Sequence, residues 1–426
     1  MIARLLAFAT FISLVVFESC GTTPAQNLNP FTPTVIDFTG YVVPADSLAD
    51  PEILPAQVPD TVPAKQLPTE PLLPFAFDVL SPFDTAMRVP LNRFEDTSHF
   101  HYLTYRVGQD HSDLEFIGGT QSLYWARAMQ TDKAGHIWFG TTGGVSCYTP
   151  RGDSASGLRY YSANEGLCSN VVDAIRQDRS GKMWFGTGDG KMSCYDGKNF
   201  ANLNKQDDAI LCMTEDQNGN IWSGRFNGVQ CYNPATKTTI RWTTAQGLCN
   251  NAVQCMLEDK TGKLWFGTFR GVTCYDPKAK RGNNFVHYTK RQGLVNDNIN
   301  TIYEDSTGNI WFGTEAGGAT CFNGKTLMTF TTVQGLANDT VQTIFGDSKG
   351  NLWFGTRMGL SKITSATLND FQNKIDSLDP VKQPLFINYG VSDGISGGFF
   401  RNSVCESAAG AIWWGTTAGV LVYSPR

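Results

Sequence analysis

The sequence has little net charge, few histidines and, beyond its first 20 residues, no long apolar run. It carries 34 basic and 39 acidic residues without a basic cluster, which argues against nucleic acid as a partner. After residue 20 no apolar run approaches the roughly 18 residues that span a bilayer. The five histidines are scattered, and no Ser/His/Asp or Cys/His grouping is recognisable. We therefore expect neither an enzyme nor a cofactor.

What the sequence has instead is a repeat that occurs seven times. One copy, which starts at Gly262, reads GKLWFGTFRGVTCYDP, and the other six vary this pattern. The repeat tryptophans lie 38 to 60 residues apart, at Trp138, Trp184, Trp222, Trp265, Trp311, Trp353 and Trp413. A regular spacing in this range indicates a repeat architecture.

Each copy is typical of β-strands, because short apolar and β-branched runs alternate with Gly, Asn and Asp clusters. In the fourth copy the predicted strands are 252–257, 263–268, 272–275 and 285–289. Four antiparallel strands in each of seven copies predict an all-β fold, a seven-bladed β-propeller over residues 99–426. The recurring Trp is predicted to fill the space between blades, since burying it removes about 150–250 Å² from water.

The N-terminal quarter differs from the repeats. Residues 1–20 combine an early Arg with a long apolar run, which predicts an export signal, and Cys20 at its end resembles the lipidated Cys of bacterial lipoproteins. A plain secretory signal or an uncleaved anchor is the alternative. Residues 21–98 hold 13 of the 19 prolines and predict a mostly irregular linker, in which runs such as 51–55 and 66–74 do not pair as strands. We therefore expect a protein of the cell envelope, held to the membrane by a lipid anchor on the periplasmic side or at the outer membrane.

The two ends of the repeat region are predicted to meet. The last copy stops after its third strand, at residues 421–423, while 99–107 (HFHYLTYRV) resembles a fourth strand that belongs to no complete unit. This strand is therefore predicted to complete the last blade and close the ring.

The repeated cysteines and aspartates are predicted to be structural. The ten cysteines of the repeats recur at equivalent positions in different blades, so they do not cluster as metal ligands and are expected to be small buried side chains. Cys212 and Cys255 are the pair for which a disulfide is tested first. The turn aspartates (Asp132, Asp178, Asp216, Asp259, Asp305 and Asp347) provide one carboxylate each, which suits turn capping better than calcium.

The loops around one mouth of the ring are the candidate ligand-binding site. Their residue types vary from copy to copy, whereas the strand and turn residues of the repeat recur. Between the second and third strands the candidates are Asp189, Arg225, Phe226, Asn227, Phe269, Arg270, Glu315 and Arg357. Before the first strands they are Tyr124, Asn170, Asn251, Asp297, Asp339 and Phe399. Such a polar cleft with aromatic platforms suits a glycan or a peptide; neutral solvated surface is the alternative.

The repeat resembles the two-component-regulator propeller repeat. The resemblance rests on a G-L-x-x-N loop (Gly166, Leu167, Asn170), a D-x-x-G turn (Asp178, Gly181) and a W-F-G-T-x-x-G strand that starts at Trp184. It implies a periplasmic sensor region of the kind found in hybrid histidine kinases of Bacteroidetes-type bacteria, with carbohydrate as the expected ligand class.

The kinase part that follows in those proteins does not follow here, since the sequence ends at Arg426. We therefore expect a propeller without signal output of its own, which acts with an envelope protein or a separate sensor kinase. The alternatives are an interaction scaffold and a propeller lyase or hydrolase.

Overall fold

The computed structural model describes most of the repeat region and six short strands that precede it. Described are residues 125–149, 157–203, 208–280, 284–373, 385–393, 395 and 397–423. The preceding strands are Thr34–Asp37, Tyr41–Val42, Glu52–Leu54, Asp60–Pro63, Leu103–Arg106 and Leu114–Gly118. The predictions for the export signal, Cys20 and Tyr124 lie outside the described residues.

The strands form seven antiparallel sheets, the blades, which we number from the N terminus. The first strands are Ala128–Thr131, Val172–Gln177, Cys212–Glu215, Val253–Glu258, Ile299–Glu304, Val341–Gly346 and Phe399–Glu406. The second strands are Ile137–Gly140, Met183–Thr187, Ile221–Arg225, Leu264–Thr268, Ile310–Thr314, Leu352–Thr356 and Ile412–Thr416. The third strands are Val145–Thr149, Met192–Tyr195, Gly228–Asn233, Gly271–Tyr275, Ala319–Phe322, Gly359–Ile363 and Gly419–Tyr423. The fourth strands of blades 1 to 6 are Gly157–Tyr161, Asn199–Leu203, Thr238–Trp242, Phe285–Tyr288, Thr326–Phe330 and Ile387–Tyr389.

The first strands of successive blades lie side by side, and that of blade 7 lies beside that of blade 1. The seven sheets therefore close into a ring around a central channel, which confirms the predicted seven-bladed propeller.

The repeat tryptophans form the core between blades, as predicted. All seven are at most 8% exposed. Trp311 packs on Phe330 of its own blade and on Phe354 of the next blade, with ring centroids 5.2 and 5.6 Å apart. The Gly two positions after each repeat Trp lets the next blade approach. In blade 4, for example, a Cβ on Gly267 would lie 2.8 Å from Ile299 of blade 5. Each blade thus packs on its neighbour and buries an apolar sheet face that would otherwise be exposed to water.

The G-L-x-x-N loops connect the blades through a short 3₁₀ turn. These turns are Ala163–Glu165, Thr244–Gln246, Lys290–Gln292, Thr332–Gln334 and Val391–Asp393. In the first four a Ser or Thr caps the turn in a capping box, and a Gly with positive φ ends it. The Leu after that Gly is buried, at 2–3% exposure in these four loops. The loop thereby delivers the chain to the top of the next blade in a fixed orientation.

Five blades carry a fifth, outermost strand from the N-terminal part of the chain. Asp60–Pro63 pairs with blade 2, Glu52–Leu54 with blade 3, Tyr41–Val42 with blade 4 and Thr34–Asp37 with blade 5. The prediction that 51–55 does not pair was therefore wrong. The three residues between the two prolines keep their N–H groups, and an outer edge is where flanking prolines are tolerated.

The ring is closed by an N-terminal strand, but not by the one expected. Leu114–Gly118 pairs with Gly419–Tyr423 as the fourth strand of blade 7, and Leu103–Arg106 pairs outside it as the fifth. The second alternating run lies closer along the chain to blade 1, so it reaches the open edge first.

Blade 6 differs from the others by an insertion after its third strand. The helix Ser365–Asn373 begins the segment that lies before Ile387–Tyr389. This insertion accounts for the longest spacing between repeat tryptophans. No helix in the described part of the chain is long and apolar enough to cross a bilayer.

Candidate functional site

The ring has two faces with different roles. The upper face carries the loops between second and third strands and the starts of the first strands. The lower face carries the turns between first and second strands. On the lower face each turn Asp accepts the indole N–H of its blade's Trp, at 2.8–2.9 Å in six blades. The same carboxylates accept backbone N–H groups of their turns, as for Thr307 and Asn309 on Asp305. This confirms that these aspartates cap turns.

Arg225 is not available at the upper surface. Its side chain is 3% exposed, and the guanidinium donates to the carbonyls of Gly190 and Asp208. These carbonyls belong to blade 2 and to the loop before blade 3, so Arg225 joins neighbouring blades. Phe399 is also buried, at 5% exposure, in the cluster between blades 6 and 7. The structure therefore assigns both residues packing roles rather than ligand contact.

Four other candidates hold the 3₁₀ turns. Asn170, Asn251, Asp297 and Asp339 each accept the backbone N–H of the residue seven positions earlier, at 2.6–2.7 Å. Their oxygens satisfy a donor at the start of each turn, which explains the fixed Asn or Asp at this place. The Asn or Asp at the end of the G-L-x-x-N loop is thus required to hold the 3₁₀ turn.

The remaining candidates lie on the upper loops. Phe226 and Phe269 are 49% and 40% exposed, and Arg270 and Arg357, on the loops of blades 4 and 6, are exposed as well. Asn227 is half-buried.

Two acidic candidates on these loops have fixed partners. Asp189 pairs with Lys191 at 2.9 Å. Glu315 accepts from Asn300 at 2.9 Å and lies 3.5 Å from the Arg401 guanidinium. The hydrogen bonds to Lys191 and Thr187 help to hold the pKa of Asp189 below its usual value, although burial opposes them.

The ring of residues at the upper end of the channel is not among the candidates predicted from the sequence. In blades 2, 4, 5 and 6 the first strand contains one bulged residue near its start, and Arg127 and Leu211 precede the first strands of blades 1 and 3 at the equivalent point. The bulged residues are Asp173, Gln254, Asn300 and Gln342. The signal was present in the sequence as the single variable position between two positions that are buried in every one of these four blades.

Blade 7 departs from this pattern. The pairing between its first and second strands passes from Phe399 directly to Val404. Three residues, Phe400 to Asn402, therefore lie between buried Phe399 and the next buried position, whereas the other blades have one residue there. Arg401 donates to Gln254 of blade 4 and lies 3.4 Å from Gln342 of blade 6. Blades 4 and 7 are not neighbours in the ring, so this hydrogen bond crosses the channel. A second crossing joins Thr301 of blade 5 to Asn402 at 3.0 Å.

The backbone is strained where blade 7 meets blade 1. Trp125 and Asn402 have φ of +62° and +54°, a conformation that a bulky residue such as Trp rarely adopts. Trp125 is 47% exposed and packs on Phe400, with ring centroids 5.8 Å apart. Strain of this kind concentrates at ligand-binding sites.

An ion pair between blades 1 and 2 adds two more charged groups to the upper mouth. Arg127 and Asp173 are 2.6 Å apart. Burial raises the pKa of Asp173, and the Arg127 guanidinium opposes that rise. The upper mouth thus combines charged groups, side-chain amides and exposed aromatic rings.

The cysteines have no part in this site. All ten in the repeats are free thiols, eight of them buried and two half-buried. The Sγ atoms of Cys212 and Cys255 each lie 3.9 Å from a backbone carbonyl of the next blade, and burial raises the pKa of Cys255 to about 12. Among the described residues no group of His, Cys, Asp and Glu side chains is arranged to hold a metal ion.

Comparisons with known proteins agree with this architecture. Solved structures with the same fold include one described as the extracellular domain of a hybrid two-component system from B. thetaiotaomicron. It is 24% identical with a TM-score of 0.59, and the match covers 77% of this chain and 46% of that one. The chain thus spans about half the length of that structure. A catalytically inactive virginiamycin B lyase from Staphylococcus aureus is 14% identical with a TM-score of 0.54, over 76% of this chain and 100% of that one.

No curated protein sequence matches the chain. The family model for the two component regulator propeller matches residues 166–189, 247–270, 293–316 and 335–358. Each matched stretch runs from a G-L-x-x-N loop to the upper loop of the following blade. These four stretches of the chain are thus similar to the two component regulator propeller.

Proposed function

We propose that this protein is an exported sensor propeller that binds a carbohydrate or similar ligand at its upper mouth and has no catalytic output of its own. The observation that carries the proposal is the three-residue bulge of blade 7. The other six blades have a single residue at this point, so the bulge departs from the repeat. It places Arg401 across the channel, and the backbone beside it is strained. A feature that the fold does not require, at the mouth of a propeller, supports a role in ligand recognition.

The chemistry of the mouth suits a sugar. The half-buried amide of Gln342 can donate to and accept from hydroxyl groups, and exposed Phe226 and Phe269 offer flat apolar faces. Arg401 and Glu315, like Arg127 and Asp173, balance each other's charge. A ligand rich in hydroxyl groups therefore fits better than a highly charged one. The family match supports a sensor role for such a site.

Export and anchoring complete the proposal. The apolar segment before Cys20 supports transport to the cell envelope, where the lipidated Cys would hold the chain to the membrane. The signal would then pass to an envelope protein or to a separate sensor kinase. Replacement of Cys20 by Ala is expected to move the protein from the membrane fraction to the soluble fraction without a change in thermal midpoint. Unchanged fractionation would contradict the anchor.

The binding proposal is tested with a glycan library and two variants. Phe269→Ala combined with Arg270→Ala removes one aromatic face and one donor, each expected to contribute about 1–3 kcal/mol when buried by the ligand. Binding should fall at least about thirtyfold, while the thermal midpoint stays within a few degrees, since both side chains are exposed. Lys325→Ala, at an exposed turn on the lower face, is the matched control and should bind as the wild type does.

A protein partner is the second candidate, because Met358 adds a side chain that is 71% exposed to the two Phe side chains of the upper loops. Exposed apolar groups on one face are typical of interaction surfaces. If the wild type binds no glycan and the double variant loses a co-purifying envelope protein, the scaffold function replaces the carbohydrate function.

A further inference from the structure

A charged depression lies on the lower face, opposite the proposed sugar site. It has a volume of about 430 Å³ and is formed where the first strands of blades 2 to 5 end in their turns. Its lining includes Arg176, Arg179 and Lys260 on the positive side and Glu215, Glu258 and Glu304 on the negative side. A volume of this order is enough for a small molecule.

The three carboxylates are held in place by the neighbouring blades. Glu215 accepts the backbone N–H of Arg179 at 2.8 Å, Glu258 that of Gln217 at 2.6 Å, and Glu304 that of Lys260 at 2.9 Å. For Glu215 and Glu304 only one carboxylate oxygen receives a donor from the described residues. Burial raises the pKa of all three Glu side chains, so each would gain from a cation placed beside it.

Arg176 is the unusual member of this depression. Among the described residues it forms no hydrogen bond or ion pair, and its Nε is buried without a partner. Burial lowers the pKa of the guanidinium, and Glu215 and Glu258 oppose that effect only through space.

The frame does not require an Arg at this place. The position paired with the repeat Trp is uncharged in the other six blades, where it is Gln130, Thr214, Leu257, Tyr303, Phe345 and Cys405. A half-buried cation without a hydrogen-bonding partner is costly to keep, so an acceptor from outside the chain would account for it.

We propose that the depression is a second binding site, for a small zwitterion such as a free α-amino acid. Arg176 would receive the carboxylate of the ligand, and the open oxygens of Glu215 and Glu304 would receive its ammonium group. This site is separate from the upper mouth, so it does not depend on the function proposed there.

The test uses the full chain and the standard α-amino acids, added one at a time in thermal-shift and calorimetric titrations. At least one amino acid should raise the thermal midpoint, while its N-acetyl derivative and its amide should not, because each lacks one of the two charges. Arg176→Met should weaken binding of that amino acid about tenfold to a hundredfold. The thermal midpoint of ligand-free Arg176→Met should equal or exceed that of the wild type, because the variant removes the unpartnered cation.

The upper-face variant with Phe269→Ala and Arg270→Ala is the control and should keep amino-acid binding unchanged. The proposal is overturned if no standard amino acid shifts the wild type, or if Arg176→Met binds the amino acid as tightly. It is also overturned if Arg176→Met lowers the midpoint without ligand, since Arg176 would then have a structural role. Loss of glycan binding alone would bear only on the upper site.

Discussion

The hydrogen bond between the turn Asp and the repeat Trp offers a direct measurement of what holds a blade together. In blade 5, Asp305 is 1% exposed and its Oδ2 accepts the indole N–H of Trp311 at 2.9 Å. Its Oδ1 accepts the backbone N–H groups of Thr307 and Asn309, both at 2.9 Å. Asp305→Asn keeps an oxygen for those two donors but turns an amide N–H₂ toward the indole. The variant therefore leaves the buried indole N–H without an acceptor, and it also removes the acceptor of the Asn309 side-chain amide, which donates to Oδ2 at 3.0 Å.

Leaving a buried donor unsatisfied costs about 1–3 kcal/mol. We expect Asp305→Asn to lower the free energy of unfolding by this amount, measured by urea titration. A double-mutant cycle with Trp311→Phe isolates the bond, since Phe has no N–H group. The Asn substitution should cost at least about 1 kcal/mol less in the Phe background. An equal cost in both backgrounds would show that the hydrogen bond between Asp305 and Trp311 does not contribute this stability.

Blade 7 provides the reverse experiment within the same chain. Ser407 takes the place of the turn Asp there, and the buried Nε1 of Trp413 has no hydrogen-bond partner within the part of the chain that the structure describes. Ser407→Asp should supply the missing acceptor and raise the free energy of unfolding by about 1 kcal/mol. A loss of stability in this variant would show that the blade 7 turn does not present its side chain as the other six do.

The remaining predictions concern closure, edges and pH. Deleting residues 1–118 removes the two N-terminal strands of blade 7 and should lower the thermal midpoint far more than deleting residues 1–64, which removes only outer strands of blades 2 to 5; equal effects would contradict closure by Leu114–Gly118. Burial lowers the pKa of His287, whose Nε2 lies 2.8 Å from the Gly247 carbonyl. The unfolded chain then binds the proton more readily, so stability should fall as pH drops below about 6.5. His287→Gln should reduce that fall in pH-dependent melting curves, and an unchanged pH profile would count against it.

The repeated fold of this protein could be predicted from its amino-acid pattern alone. Seven copies of one pattern require one supersecondary unit repeated seven times, and a Trp at the same place in each unit requires the same contact between blades. The turn aspartates also followed from the sequence, because capping depends on residues within the same turn. In these cases cause and effect lie within a few residues of each other along the chain.

Which variable residues face the channel and which are buried depends on contacts between blades. Arg225 and Phe399 are as irregular in the repeat as Arg270, yet neighbouring blades cover them. Arg401 reaches blades 4 and 6 only because the ring brings first strands together that lie far apart in the sequence. The pairing of Glu52–Leu54 with blade 3 has the same origin. Contacts across the ring depend on the geometry of closure, which no local pattern contains.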